Sequence, residues 1–342
     1  MPSDAPVREV TVSTGARLHL GFFSYGRAGR RQFGGVGVMV DRPGFVVNAR
    51  LADRDVLECG TWTTRVETLL SQLRSRQTSD GVTGRDGVLQ MPVHIEVREA
   101  PPAHSGLGSG TQLGMALAGI CSIFAGEEDV PAQELALRAL RGRRSALGLY
   151  GFQYGGLLIE AGKRAESEIS PLVARTDFPA DWRFVLVRPR GVEGISGADE
   201  ATGFAQLPSM PEALTGRLCR IALTEILPAV IEMDFANASA AIGEFGALVG
   251  EYFAPVQGGV FAHPQMRRLA AALASRGLRG VGQTSWGPTL FALCPGAAAA
   301  HDLVTDMSGE PAAADCDFTI AVPLNRGASV VRTPPPWGDR PA

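Results

Sequence analysis

Residues Pro101–Gln112, PPAHSGLGSGTQ, decide how the rest of the chain is read. Just upstream, Val93-His94-Ile95-Glu96-Val97-Arg98 alternates apolar and polar, the period of a strand, and Pro101-Pro102 stops it. Gly106, Gly108 and Gly110 then form a glycine-rich loop that opens into an uncharged helix, Leu113–Phe124. Strand, double proline, loop and helix in that order suit a phosphate. Glycines let the backbone approach an anion, and the helix N-terminus presents unpaired N–H groups and partial positive charge. Ser109 and Thr111 add hydroxyls for phosphate or a magnesium ion. No lysine follows the last glycine, so this is not a Walker loop. A tight turn without ligand is the competing reading, and the order of the elements favours phosphate.

Working outward, Val10 to Phe22 alternates with period two, giving one strand or two bent at Gly15, with Arg17 and His19 on the same polar face. Gly34–Val40 and Phe45–Leu51 read as further strands, Thr64–Arg76 as a helix and Ser79–Gly87 as a loop. Downstream, Asp129-Val130-Pro131 starts a helix predicted to run to about Arg141, and GGLLIE (Gly155–Glu160) is a buried strand. The polar Lys163–Ala180 stretch, with Pro171 and Pro179, marks a domain boundary. Beyond it come strand Phe184–Val187, helices Pro211–Leu227, Phe235–Tyr252 and Gln265–Arg276, and a glycine loop, Gly280–Gly287. Strand Thr289–Cys294, helix Ala298–Met307 and strand Phe318–Val322 close the series. The expected fold class is α+β, with domains at 7–175 and 181–325 and flexible tails at 1–6 and 333–342.

Composition excludes several classes. At 342 residues with 45% hydrophobic and 20% charged residues, the chain can build two cores and is not disordered. A net charge of −3 argues against a globally basic nucleic-acid binder. Of the 32 basic residues only Lys163 is lysine, so Schiff-base chemistry or a lysine phosphate clamp falls there or nowhere. Five scattered cysteines never form CxxC, and the five histidines lack ligand spacing, so neither a disulfide framework nor a zinc site is expected. The start resembles no signal peptide and the longest apolar run, Leu113–Ala125, is too short to span a bilayer. The expectation is a cytoplasmic protein without membrane or nucleic-acid partners.

Two more clusters carry chemistry. Arg138, Arg141, Arg143 and Arg144 precede Ser145. Arginines in such a group bind phosphate or carboxylate bidentately. For Arg138 and Arg141 the preferred reading is instead a solvated helix C-terminus, leaving Arg143 and Arg144 as candidate ligands. Gln283-Thr284-Ser285-Trp286-Gly287-Pro288 could reach the same ligand from the second domain, or could be a strand-entry turn with Trp286 in the core. Among the histidines, only His19, beside Arg17, and His104, before the glycine loop, hold functional interest.

TGARLHLGFF, PPAHSGLGSGTQ and GQTSWGPTLFAL together resemble the three motifs of the galactokinase–homoserine kinase–mevalonate kinase–phosphomevalonate kinase (GHMP kinase) superfamily. With GRRSALGLYGFQYGG, they resemble more closely the β-ribofuranosylaminobenzene 5′-phosphate synthase family, from about Thr11 to about Pro323. The resemblance implies a two-domain GHMP-kinase-like fold: an N-terminal ribosomal-protein-like βαβ domain, a C-terminal ferredoxin-like domain and a ligand cleft between them. It implies a homodimer, a magnesium requirement, and the first committed step of tetrahydromethanopterin biosynthesis. In that reaction 5-phosphoribosyl 1-diphosphate and 4-aminobenzoate or 4-hydroxybenzoate yield a C-riboside, CO₂ and pyrophosphate.

On that reading His19 is the candidate base and Arg17 orients the benzoate. His104, Gly106, Gly108, Ser109, Gly110, Thr111, Gln112, Arg143, Arg144, Thr284 and Ser285 are the candidate phosphate and substrate contacts. Ser109 and Thr111 would reach Mg²⁺ through the pyrophosphate. An ATP-dependent kinase is the first rival, and the lack of a carboxylate in Ser145–Phe152 counts against it. A non-catalytic ligand-binding protein is the second, and the intact glycine loop counts mildly against it.

Overall fold

The computed structural model describes residues 7–77, 91–127, 129–165, 168–194 and 197–333, so the predicted loop Ser79–Gly87 and most of both tails lie outside the described residues. The alternation after Val10 resolves into β1 (Glu9–Ser13) and β2 (Ala16–Ser24), parted at Gly15. A Cβ at Gly15 would stand 2.3 Å from the Val40 carbonyl oxygen, so the chain can make this turn only without a side chain. There follow β3 (Phe33–Val40), β4 (Val46–Leu51), β5 (Val56–Glu58), α1 (Thr63–Gln77), β6 (Val93–Glu99) and α2 (Ser109–Phe124). Next come α3 (Ala132–Arg138), α4 (Leu147–Tyr154), β7 (Leu157–Glu160) and β8 (Leu172–Thr176). The second half holds β9 (Arg183–Pro189), α5 (Gly197–Gln206), and α6 (Glu212–Ile221), which runs through one π-helical turn into α7 (Leu227–Ile231). It ends with α8 (Phe235–Gln257), α9 (Pro264–Ser275), β10 (Val281–Gln283), β11 (Leu290–Cys294), α10 (Ala297–Ser308), β12 (Cys316–Ala321) and β13 (Ser329–Thr333).

Three sheets organise these elements: β13-β1-β4-β6-β5, β2-β3-β7-β8 and β10-β11-β9-β12. In the first, β5 and β6 pair in parallel and α1 connects them, which is the βαβ unit. In the third, two strand–helix–strand segments interleave antiparallel in the order second, third, first, fourth, which is ferredoxin-like.

The middle sheet is covered on both faces. Leu18, Val36 and Ile159 pack against Phe184, Ile221 and Phe245 of the second half. Met39 and Leu158 face the other way, toward Leu113 and Leu117 of α2 and Leu147 of α4. Burying each such side chain contributes roughly 1.5–3 kcal/mol, so the sheet is the spine joining the two halves. On the face of β2 expected to be polar, Arg17 keeps partial exposure, whereas His19 beside it is buried.

Three local readings also change. The Lys163–Ala180 stretch contains β8, paired with β7. The loop predicted at Gly280–Gly287 contains the three-residue β10, in which Gly282 stands opposite Phe291 and a Cβ there would meet its ring at 2.5 Å. Thr333, assigned to the flexible tail, is the last residue of β13, which pairs with β1 and returns the chain to the N-terminal sheet.

Candidate active site

Where the glycine loop meets the second half, a cleft of about 660 Å³ opens. Gly108 caps α2 with φ 73°, and Thr111 N and Gln112 N both donate to its carbonyl, at 3.0 and 3.1 Å. Gly106 has φ 80°, and a Cβ there would lie 2.4 Å from the Thr284 carbonyl oxygen and 2.7 Å from Gly287 Cα. The loop is therefore pressed against the Thr284–Gly287 turn, and only glycine permits both the conformation and the approach.

Thr284 holds this junction. Its hydroxyl accepts from His19 N at 2.9 Å and donates to the Gly106 carbonyl at 3.0 Å. One buried oxygen thus joins β2, the glycine loop and the turn after β10. Arg17 N donates to the Leu107 carbonyl at 3.0 Å, and Ser285 N to the His19 carbonyl at 3.3 Å, completing the seam.

Most of the residues singled out in the sequence meet at this cleft. Arg17, His19, His104, Gly106, Gly108, Ser109, Gly110 and Thr111 line it, as do Arg143, Arg144 and Ser285. Two do not. Thr284 is fully buried in the clamp just described. Gln112 is buried too, its Nε2 donating to the Gly148 carbonyl at 2.8 Å, so it ties α2 to α4.

Among the described residues that line the cleft there are five arginines, Arg17, Arg65, Arg141, Arg143 and Arg144, and no carboxylate. Trp62, Phe22 and Trp286 supply apolar surface beside them. Trp286 packs edge-on to Phe204 and Phe253, as the core alternative for this residue foresaw. Arg138 behaves as a structural residue, pairing with Glu127 and Glu134 and donating to Ser122 Oγ at 2.7 Å.

Arg141 departs from its expectation. α3 ends at Arg138, and Leu140 and Gly142 take φ 55° and 84°, so Arg141 sits on an irregular turn instead of a solvated helix end. Its guanidinium lies against α2, with Nη1 3.6 Å from a Cβ built at Gly110 and Nε 3.2 Å from one at Gly114. Nε and Nη2 are buried with no hydrogen-bond partner among the described residues. Burial, with the nearby charge of Arg65, lowers its pKa to about 10. The predicted helix end hid it; two glycines at i and i+4 on the facing helix were the trace it left. Arg144 is steadied differently, its guanidinium carbon 5.1 Å from the Phe204 ring centroid, a cation–π geometry.

His19 is held neutral: burial, reinforced by the charge of Arg17, drives its pKa well below the ordinary 6.5. Its Nε2 is buried with no hydrogen-bond partner among the described residues, and its ring meets Phe22 edge-on at 4.6 Å. Ser145, on the cleft wall, donates to Glu160 Oε1 at 2.7 Å, while Ala146 N donates to Oε2 at 2.7 Å. Burial raises the Glu160 pKa, and the bonds from Ser145 and Ala146 and the charge of Arg17 oppose the rise. A carboxylate does stand behind Ser145–Phe152, but fully buried and committed to the entry of α4.

Among the described residues no group of three or more His, Cys, Asp or Glu could hold a metal. A guanidinium has no lone pair for a metal, so in the described cleft lining it is hydroxyls such as those of Ser109 and Thr111 that would meet a Mg²⁺ ion carried in on a diphosphate. Among the described residues no helix is long and apolar enough to cross a membrane.

The fold is that of the GHMP kinases. Homoserine kinase from Cytophaga hutchinsonii superposes with TM-score 0.62 at 18% identity, covering 97% of this chain and 99% of that one. Mevalonate diphosphate decarboxylase from Staphylococcus aureus gives 0.65 at 13%, covering 95% and 98%. No family model matches the sequence. Curated relatives narrow the class. The β-ribofuranosylphenol 5′-phosphate synthase of Methanothermobacter thermautotrophicus is 30% identical over 311 residues, 84% of this chain and 89% of the relative. Those named the same in Archaeoglobus fulgidus and Methanocaldococcus jannaschii are 28% and 26% identical, covering 82% and 70% of this chain and 86% and 75% of the relatives. The chain belongs to the β-ribofuranosylphenol 5′-phosphate synthase family.

Proposed function

We propose that this protein transfers the 5-phosphoribosyl group of 5-phosphoribosyl 1-diphosphate to the carboxyl-bearing ring carbon of 4-hydroxybenzoate, releasing pyrophosphate and CO₂. The observation that carries the reading is a cleft at a glycine loop walled by five arginines, with no carboxylate among its described lining. Such a wall favours a polyanionic donor and an anionic acceptor together. The relatives' names specify a phenol product, which favours the hydroxy acid over 4-aminobenzoate.

The backbone N–H groups of Gly106–Gly110 receive the leaving diphosphate and stabilise the charge that grows on it as the anomeric C–O bond breaks. Mg²⁺, when bound beside Ser109 and Thr111, supplies further neutralisation of that charge. Arg143 and Arg144 hold the 5-phosphate, and Arg17 orients the benzoate carboxylate. The aromatic ring lies among Trp62, Phe22 and Trp286. The ring carbon attacks the anomeric carbon, and the C–O pair leaves with the diphosphate. The ring–carboxylate bond then breaks, CO₂ departs and its electron pair restores aromaticity. His19, neutral and with no partner for Nε2 among the described residues, takes the phenolic proton during attack and returns it afterwards.

Incubating the protein with the donor, Mg²⁺ and 4-hydroxybenzoate, then weighing the products by mass spectrometry, tests the reading. It predicts a phosphoribosyl phenol lacking the carboxyl group. ADP formed from ATP, with the acid unchanged, would point to the kinase alternative.

A further inference from the structure

We propose that Arg141 is the fixed cation of the diphosphate subsite, a guanidinium built in beneath the glycine loop that meets the leaving group at the N-terminus of α2. The assignment rests on the function proposed above only in naming the diphosphate's source.

Three observations carry it. The side chain lines the cleft and lies along the start of α2, in ordinary contact distance of a Cβ built at Gly110 and crowded, at 3.2 Å from Nε, by one built at Gly114. Two of its nitrogens are covered and make no hydrogen bond among the described residues. The charge beside it in the cleft is another arginine, Arg65, so like charge faces a partly covered cation. A guanidinium with two covered, unpaired nitrogens and no anion is costly to the fold, and a site that keeps one has a use for the charge. Here the partial charge of a 16-residue helix and the loop N–H groups converge on the same spot. A diphosphate there would meet two kinds of donor at once, and the cation would neutralise charge that grows as the C–O bond breaks.

The contrast with its neighbours sharpens the role. Arg138 is consumed by Glu127 and Glu134, and Arg144 is seated on Phe204, whereas Arg141 has no carboxylate within reach among the described residues.

The test is calorimetric titration of the full-length protein with inorganic pyrophosphate, for wild type, Arg141→Met, Arg141→Gln and Arg141→Lys, with thermal melts of each without ligand. The expected result is a Kd raised roughly 30-fold or more in Arg141→Met and Arg141→Gln, and less in Arg141→Lys. The melting temperature of Arg141→Met should be unchanged or higher, because an uncompensated buried charge has been removed. Wild-type protein that fails to bind pyrophosphate, wild-type affinity in Arg141→Met, or affinity lost only in step with melting temperature would each overturn the assignment. Arg141-dependent pyrophosphate binding in a protein that releases no CO₂ would leave it standing and remove the proposed reaction. Undiminished CO₂ release in Arg141→Met would remove the assignment alone.

Discussion

Burial behind Phe22 and the charge of Arg17 both favour the uncharged imidazole of His19. Two outcomes follow at the residue scale. His19→Ala should cut turnover on the order of 10²–10⁴-fold, the usual loss for a general base, measured as product formed at saturating substrates. Stability should also carry the residue's signature. Below about pH 6.5 the unfolded chain binds a proton at this position that the folded chain refuses. The contribution of neutral His19 is therefore intact above about pH 6.5 and is lost as pH falls toward the depressed folded value. In denaturant titrations from pH 7 to 5, His19→Gln should lose less stability than wild type; equal slopes would place the acid sensitivity elsewhere. Residue identity announced some positions at the cleft and hid others. Arg17, Ser109 and Thr111 could be placed there because strand period and loop chemistry are local. Arg141 could not, since Leu140 and Gly142 turn the chain toward α2, and helical periodicity carries no trace of positive φ.

At the scale of elements, the seam between the glycine loop and the turn after β10 is the structure's most concentrated joint. Thr284→Val keeps the shape but leaves His19 N and the Gly106 carbonyl without their partner. The cost should be about 1–3 kcal/mol per orphaned group, read as a lower denaturation midpoint with an unchanged m-value. Gly106→Ala should be worse, since it adds a Cβ 2.4 Å from the Thr284 carbonyl oxygen to a residue at φ 80°. We expect it to lose pyrophosphate binding and about 2 kcal/mol or more of stability, by titration and melt. These couplings explain why the sequence placed Thr284 among the ligands: a threonine in a glycine turn looks the same whether its hydroxyl faces substrate or clamps two loops. β10 and β13 escaped for related reasons. β10 spans only Val281–Gln283, and β13 is exposed throughout and paired with β1 at the opposite end of the chain. Strands defined by a distant partner leave little periodicity to read.

At the scale of the molecule, the three motifs, on β2, at the loop that opens α2 and across the β10–β11 turn, were enough to name the fold because together they resemble those of one superfamily. Less legible was that the middle sheet serves both halves, since one face of β2 is buried by α8 of the second half. That arrangement concentrates arginines in one cleft of a chain whose net charge is −3. Anion capture should then depend strongly on salt: raising ionic strength from 0.05 to 0.5 M should slow pyrophosphate association by roughly tenfold or more, measured by stopped flow. The central claim is decarboxylative ribosyl transfer. Its most direct measurement is release of labelled CO₂ from carboxyl-labelled 4-hydroxybenzoate by the purified protein, with Mg²⁺ and with or without 5-phosphoribosyl 1-diphosphate. The account predicts release that requires both substrates, with 4-aminobenzoate the poorer acceptor. Folded protein that binds pyrophosphate yet releases no CO₂ from either acid would contradict it.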